Sequence, residues 1–252
     1  VLNNDGDRDG CAARVLHYAE FYQQPDWTYI ATNGQQGVKP EGQPSIFYPY
    51  AGQLIMRNGY EPDAQWAFFD VGPTGIGSHA HFDKLHLSVM AGGRDLLVDP
   101  GTYDYFTDRA WRDYFRSTAA HNCLRVDGQD QARPAGLFML DRPVRACCRD
   151  WRPTPGGGSV EGEHDGYARL AEPVVHRRRI ELAGPDGRLL VRDELLARGA
   201  HDIELSFQFA EGCGLTALGA GRFRIETGPA AATLTLDERV APRVLLGSDD
   251  PP

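Results

Sequence analysis

The chain has 252 residues, 41% of them hydrophobic, and a formal charge of −9; a chain of this size can bury a full core without disulfide staples. The negative balance excludes nonspecific nucleic-acid binding, whose affinity comes from positive surface and counterion release. No apolar run approaches the roughly 20 residues that a membrane-spanning helix needs, and no basic stretch followed by an apolar one marks an export signal, so a soluble protein is expected.

The opening "VLNNDGDRDG" reads as a loop leading into a helix, so a preceding part of the protein is expected. Asp9 can cap a helix from about Gly10 to Gln23, in which Ala12, Val15, Leu16 and Ala19 share one face. This is the one helix the periodicity supports. From Tyr29 to Pro49 the composition turns to Gly, Gln and Pro, which places a linker there and divides the chain into residues 1–44 and 45–252.

Beyond the linker the spacing is that of strands: "GQLIMRNGY", "QWAFFDVG", "KLHLSVMAG", "RDLLVDPG", "HNCLRVDGQ" and "LFMLDRPVRACCRDW". "PTPGGGSV" reads as a flexible turn, and "VHRRRIELAGPDGRLLVRDELL" as a hairpin around Pro185, Asp186 and Gly187. "DIELSFQFA", "GRFRIETG" and "AATLTLDE" continue the series, and a chain ending in "GSDDPP" suggests that more sequence follows. Short β-rich runs separated by turns every ten residues or so favour a large antiparallel β-sandwich.

Three polar stretches interrupt this pattern: "SHAH" at Ser78 to His81, "LLVDPGTYDY" at Leu96 to Tyr105, and "RSTAAHN" at Arg116 to Asn122. If the strand already runs there, His79, His81 and Asp83 project from one face and continue the row of Leu85, Leu87 and Val89. Asp99 ends one strand before Pro100 and Gly101, and His121 begins another. Two histidines and a carboxylate from three strands suit zinc. Singly, a histidine at a strand end is more often a hydrogen-bonded residue, and an Asp before Pro-Gly a turn former. The five cysteines lack C-x-x-C spacing, so they point to neither a disulfide framework nor a cysteine zinc site. Two basic runs, Arg109, Arg112 and Arg116, and Arg177, Arg178 and Arg179, could face an anionic ligand.

"SHAHFDKLHLSVMAGGRDLLVDPGTYDY" followed by "WRDYFRSTAAHNCLRVDGQDQ" resembles the signature of the heparinase II/III-like polysaccharide lyases, a group that includes exo-acting alginate lyases. "EGEHDGYARL" and "VVHRRRIEL" resemble the same family, and the likeness spans most of Ser45 to Asp237. The resemblance implies an antiparallel β-sandwich behind an N-terminal (α/α) toroid, with the active site in the cleft between them. Residues 1–44 would then be the end of the toroid plus linker. It also implies zinc held by His81, Asp99 and His121, His79 at the catalytic cleft, and a catalytic tyrosine. Tyr105 is preferred for that role over Tyr103 and Tyr114, because it lies upstream of "YFRST". Family habit adds a periplasmic or secreted bacterial location.

Such an enzyme takes the C5 proton of a uronic acid and expels the oxygen at C4. The uronate carboxylate must be neutralised, and donors aimed at the developing enolate are typically worth several kcal/mol. His79, Arg112 and Arg116 are the candidate contributors. Alginate, heparin or heparan sulfate, and bacterial exopolysaccharide all fit the implied substrate class. One rival is a zinc hydrolase with Asp83 as base; another is a noncatalytic carbohydrate-binding sandwich that keeps zinc for stability. His86, of opposite strand parity to His81, is expected outside the site. Asn122 is expected to orient His121, His17 and His201 to lie on the surface, and His164 and His176 to be structural or to flank substrate.

Overall fold

The computed structural model describes residues 8–74, 79–184, 187–228 and 230–247. Two helices come first, α1 (Arg8–Tyr22) and α2 (Pro25–Ala31). Asp9 lies within α1 rather than at its cap, and the opening loop falls outside the described residues. Of the expected apolar stripe only Ala19 is fully buried, while Tyr18, Phe21, Tyr22 and Trp27 stand exposed. The supposed linker begins inside the last turn of α2, a helix that Pro25 starts at the position where a missing N–H costs nothing. No helix among the described residues is long and apolar enough to cross a membrane.

The strands are β1 (Ile46–Tyr48), β2 (Gln53–Arg57), β3 (Trp66–Asp70), β4 (Leu87–Ala91), β5 (Arg94–Leu97), β6 (Leu124–Val126), β7 (Ala146–Thr154), β8 (Gly157–His164), β9 (Val175–Ala183), β10 (Arg188–Leu196), β11 (Ile203–Leu205), β12 (Gly214–Gly219), β13 (Arg222–Thr227) and β14 (Ala230–Thr235). A third helix, α3 (Arg109–Phe115), stands between β5 and β6. It was not expected. Asp108 caps it by accepting from the Ala110 and Trp111 amides.

The sheets are β1-β2-β3-β4-β5, β10-β9-β8-β7, β11-β6 and β12-β13-β14, and every pairing is antiparallel. The fold class is therefore the expected one, antiparallel β with a short helical start. The first two sheets pack face to face. Alternate residues turn inward, as the period of a strand requires: Leu54, Met56, Ala67, Phe69, Leu87 and Val89 from one layer meet Val160, Ile180 and Leu182 from the other. Gly162 faces the opposite layer, and a Cβ there would sit 2.6 Å from both Leu85 Cδ2 and Val71 Cγ1. The stretch read as a flexible turn is a tight hairpin, with Thr154 pairing Gly157. The β9–β10 hairpin forms as expected, although its turn residues Pro185 and Asp186 lie outside the described residues, as do those of "GSDDPP".

Toward one end the inner face of the second sheet turns polar. His164 pairs with His176 across β8 and β9, and Arg178 pairs with Asp193 across β9 and β10. The Gly166 amide donates to His164 Nδ1, so His164 donates from Nε2 to His176 Nδ1 at 3.0 Å, and His176 donates from Nε2 to Asp193 Oδ1 at 2.7 Å. Burial pushes both histidines below their ordinary range, and the second imidazole adds to the effect on His164.

Gly162→Val should cost about 1–3 kcal/mol by overpacking the layer contact, read as a lower urea midpoint at unchanged slope. The histidine pair sets a pH dependence. Unfolded histidine takes up a proton near ~6.5, the buried pair resists it, and so the unfolded state binds more protons as pH falls below that value. The thermal midpoint should drop between pH 7.5 and pH 5.5. An unchanged or higher midpoint would show that the two rings are not held neutral.

Candidate active site and metal centre

The run 79–86 is not strand. β4 begins only at Leu87, and both His79 (φ 76) and Leu85 (φ 64) are left-handed. The alternation expected of His79, His81 and Asp83 is thus absent, and these residues are placed by hydrogen bonds from elsewhere. Phe82 N–H donates to the Arg116 carbonyl at 2.9 Å and Thr118 Oγ1 donates to the Phe82 carbonyl at 2.8 Å. The Gln131 side chain brackets Lys84, accepting from its amide and donating to its carbonyl. His79 is exposed while His81 turns inward.

His81, Asp99 and His121 come together, with one ligand atom from each lying within 4.8 Å of the others. His81 Nδ1 faces His121 Nε2 at 3.1 Å, and Asp99 Oδ2 is 3.7 Å from His121 Nε2. His121 follows the turn Thr118–Ala120 and is fully buried. Its Nδ1–H donates to the Ser117 carbonyl at 2.8 Å, which leaves Nε2 as the lone-pair nitrogen of the neutral ring. Asp99 Oδ1 accepts from the Gly101 amide, freeing Oδ2 for the site. Burial, helped by the neighbouring His121, pushes His81 down to about 4. The donor set fits zinc: ligands about 2.0 Å from a tetrahedral ion stand about 3.3 Å apart, between the 3.1 Å and 3.7 Å that separate His81 Nδ1 and Asp99 Oδ2 from His121 Nε2.

His86 belongs to this cluster. The turn at 83–86 cancels its expected parity, so its ring lies 5.6 Å from that of His121 and its Nε2 lies 3.7 Å from Asp99 Oδ2. The Asn122 amide donates to His86 Nδ1, which places the ring's proton on Nε2, toward Ser88 Oγ and Asp99. It is a neighbour of His121 and Asp99 whose Nε2 bonds Ser88, and it is not one of the three gathered ligand residues. Asp83 Oδ2 stands 4.0 Å from His121 Nε2, and Asp83 Oδ1 is paired with Lys84 at 3.4 Å. Burial alone would raise the Asp83 carboxyl, but the Lys84 ammonium and the surrounding imidazoles outweigh it and hold the group well below the usual carboxylate range.

A cleft beside the cluster is lined by His79, His81, Asp83, Lys84, Thr102 and Tyr105, among others. The His79 and Tyr105 rings meet edge-on with centroids 5.0 Å apart, and Phe138 packs against both. Tyr103 is stacked on Phe115 and does not line this cleft. Tyr114 is half-buried, and burial raises its hydroxyl above the ordinary range.

The arginines differ from expectation. Arg112 is fully buried, so it offers no sugar-facing surface; its guanidinium lies over the Tyr105 ring at 5.1 Å, with none of its nitrogens hydrogen-bonded among the described residues. Arg116 is also buried and donates to the Gly136, Leu137 and Met139 carbonyls, so it holds the loop that carries Phe138. Arg109 pairs with Asp113, Arg177 with Glu163, and Arg179 with Ser159 and Asp150. Neither basic run forms an open cationic patch. Asn122 does not orient His121; its side chain bonds the Leu87 and Val98 carbonyls and the Gln208 amide. His201 is mostly covered and paired with Asp127, whereas His17 is exposed.

Residues 40–243 match the family model described as heparinase II/III-like, C-terminal. Among solved structures, the fold is similar to the heparinase III BT4657 gene product, at 19% identity and a TM-score of 0.70, over 87% of this chain and 32% of that one. It is similar to heparan sulfate lyase HepC from Pedobacter heparinus at 20% identity and a TM-score of 0.68, over 87% and 34%. A structure of heparinase III matches at 21% identity and a TM-score of 0.63, over 84% and 34%. This chain thus spans about a third of the length of these relatives. No curated protein matches by sequence.

The cluster predicts about one zinc per chain by elemental analysis after dialysis, and close to none in His121→Ala or His81→Ala. His86→Ala, which removes a neighbour of Asp99 and no ligand, should keep the metal at about one per chain.

Proposed function

We propose, from the premise that this chain belongs to the heparinase II/III-like family as its C-terminal domain, that it is the β-domain of a polysaccharide lyase cleaving uronate-containing anionic chains by β-elimination. The observation that carries the reading is the contact of His79 with Tyr105 at a cleft whose inner wall is the His81, Asp99 and His121 cluster. A phenol and an exposed imidazole side by side can share the two duties of the reaction, moving a proton at C5 or at the leaving oxygen and answering the charge of the carboxylate.

Each neighbour has a part in this. The guanidinium of Arg112 over the Tyr105 ring attracts the negative face of the ring and any negative charge that forms on its oxygen during proton transfer. Arg116, through its three carbonyl bonds, keeps Phe138 against both His79 and Tyr105. His81, Asp99 and His121 would hold zinc, which when bound supplies a fixed positive charge that ties three chain segments together. His81 then anchors the segment that presents His79. Tyr105 is favoured over Tyr103, which is committed to a ring stack, and over Tyr114, whose hydroxyl is harder to ionise.

A zinc hydrolase is less well supported. Its base would be Asp83, and that carboxylate is already tied to Lys84 and held strongly ionised, a poor proton acceptor for bound water. In this reading residues 1–44 close the end of a preceding helical toroid, which supplies the opposite wall of the cleft. The enzyme acts in the periplasm or outside the cell. Alginate, heparan sulfate and an exopolysaccharide are the substrates to try.

The test is turnover by the full-length protein on these polysaccharides, followed by the ultraviolet absorbance of the 4,5-unsaturated product. Tyr105→Phe should lower the rate by at least about 10²-fold, while Tyr103→Phe and Tyr114→Phe should stay within a few-fold of the parent. New reducing ends without that absorbance would establish hydrolysis. Binding without turnover would leave a carbohydrate-binding sandwich.

A further inference from the structure

The second sheet holds a buried charge that the proposed chemistry does not use. Arg178 is fully buried in β9, on the face where Ile180 and Leu182 supply core. A leucine at that position would continue the core without the cost of desolvating a guanidinium, and a buried ion pair seldom stabilises more than well-packed apolar residues. The difference lies in the directed bonds that the arginine makes.

Its Nη1 donates to the Leu85 carbonyl at 2.9 Å and to the Asn122 carbonyl at 2.6 Å. Leu85 closes the left-handed turn after His81 and Asp83, and Asn122 follows His121. One planar nitrogen therefore spans two of the chain segments that carry the cluster. The Asn122 side chain extends the link to the third by donating to the Val98 carbonyl, next to Asp99, and to Leu87. The other edge of the guanidinium is fixed by Asp193, through Nε at 2.7 Å and Nη2 at 3.1 Å, and Asp193 is steadied by the His176–His164 pair. Every partner is a directed, largely water-free hydrogen bond to a rigid fork, so the guanidinium cannot be shifted without breaking several at once.

We propose that Arg178 is a positioning residue for the metal centre: backed by Asp193, His176 and His164, it sets the spacing between the segments bearing His81 and His121 from the opposite layer of the sandwich. The inference rests on the reading of His81, Asp99 and His121 as a zinc site and gives the buried histidine pair a role within it.

Arg178→Met in the full-length protein tests this, with zinc affinity measured by competition against a chromophoric chelator and coordination by the visible spectrum of the cobalt(II) form. The expected result is a zinc dissociation constant raised by about 10–100-fold and a changed cobalt band in a protein that still unfolds cooperatively. Should Arg178→Met fail to fold, Arg178→Lys carries the test. It keeps a cation for Asp193 but cannot reach both carbonyls, so affinity should fall about tenfold or more in a protein that still unfolds in one cooperative transition. Parental affinity and an unaltered cobalt spectrum in a folded variant would overturn the proposal. A parent protein that binds neither metal would instead overturn the zinc reading, and this inference with it.

Discussion

Two ring nitrogens face each other beside a carboxylate. His81 Nδ1 and His121 Nε2 stand 3.1 Å apart, His121 is fully buried, and its other nitrogen is bound to the Ser117 carbonyl. His121 Nε2 offers a lone pair, which either the proton of His81 Nδ1 or a shared cation can take up. A proton would satisfy the two imidazoles alone, whereas a divalent ion also satisfies Asp99 Oδ2, 3.7 Å from His121 Nε2. The remaining architecture holds that meeting point in place: the left-handed turn at Leu85, the Thr118 bond to the loop, the side chain of Asn122 and the guanidinium of Arg178.

The same segment serves the metal centre and the cleft. His79, with its left-handed backbone, is exposed beside Tyr105, while two residues later His81 faces inward to His121. Fixing one ring restricts the other, so the cluster can govern how His79 is presented to the cleft. Although Lys84 lines the cleft and Arg112 lies behind Tyr105, Lys84 is paired with Asp70 and Asp83 and Arg112 is fully buried, so neither offers a free positive charge at the cleft surface.

Much of this was legible in the sequence. The alternating apolar residues of "QLIMR", "WAFFD" and "RRRIELA" mark strands, and burial along β2, β3 and β9 follows that alternation. The family resemblance carried by "SHAHFDKLHLSVMAGGRDLLVDPGTYDY" and "RSTAAHN" pointed to His81, Asp99 and His121, the three residues that the fold gathers. The geometry between them was not legible. No glycine announces the turn at Leu85, which is stabilised by bonds from Asp70 and Arg178, distant in the chain; extending the strand through it gave His86 the wrong side. The sequence shows that Arg112 and Arg116 are charged but not that they point inward, since that direction comes from Tyr105 and from the carbonyls of 136–139. The pairing of His164 with His176 exists only through the register of β8 and β9.

The central claim is that one divalent ion joins three separate segments of the chain. An anomalous difference map recorded on crystals of the zinc-loaded protein, above and below the zinc absorption edge, examines it directly. The account predicts a single strong peak bonded to His81 Nδ1, His121 Nε2 and a carboxylate oxygen of Asp99. No peak between these side chains, or a zinc held by other residues while His81 and His121 remain bonded to each other, would contradict it.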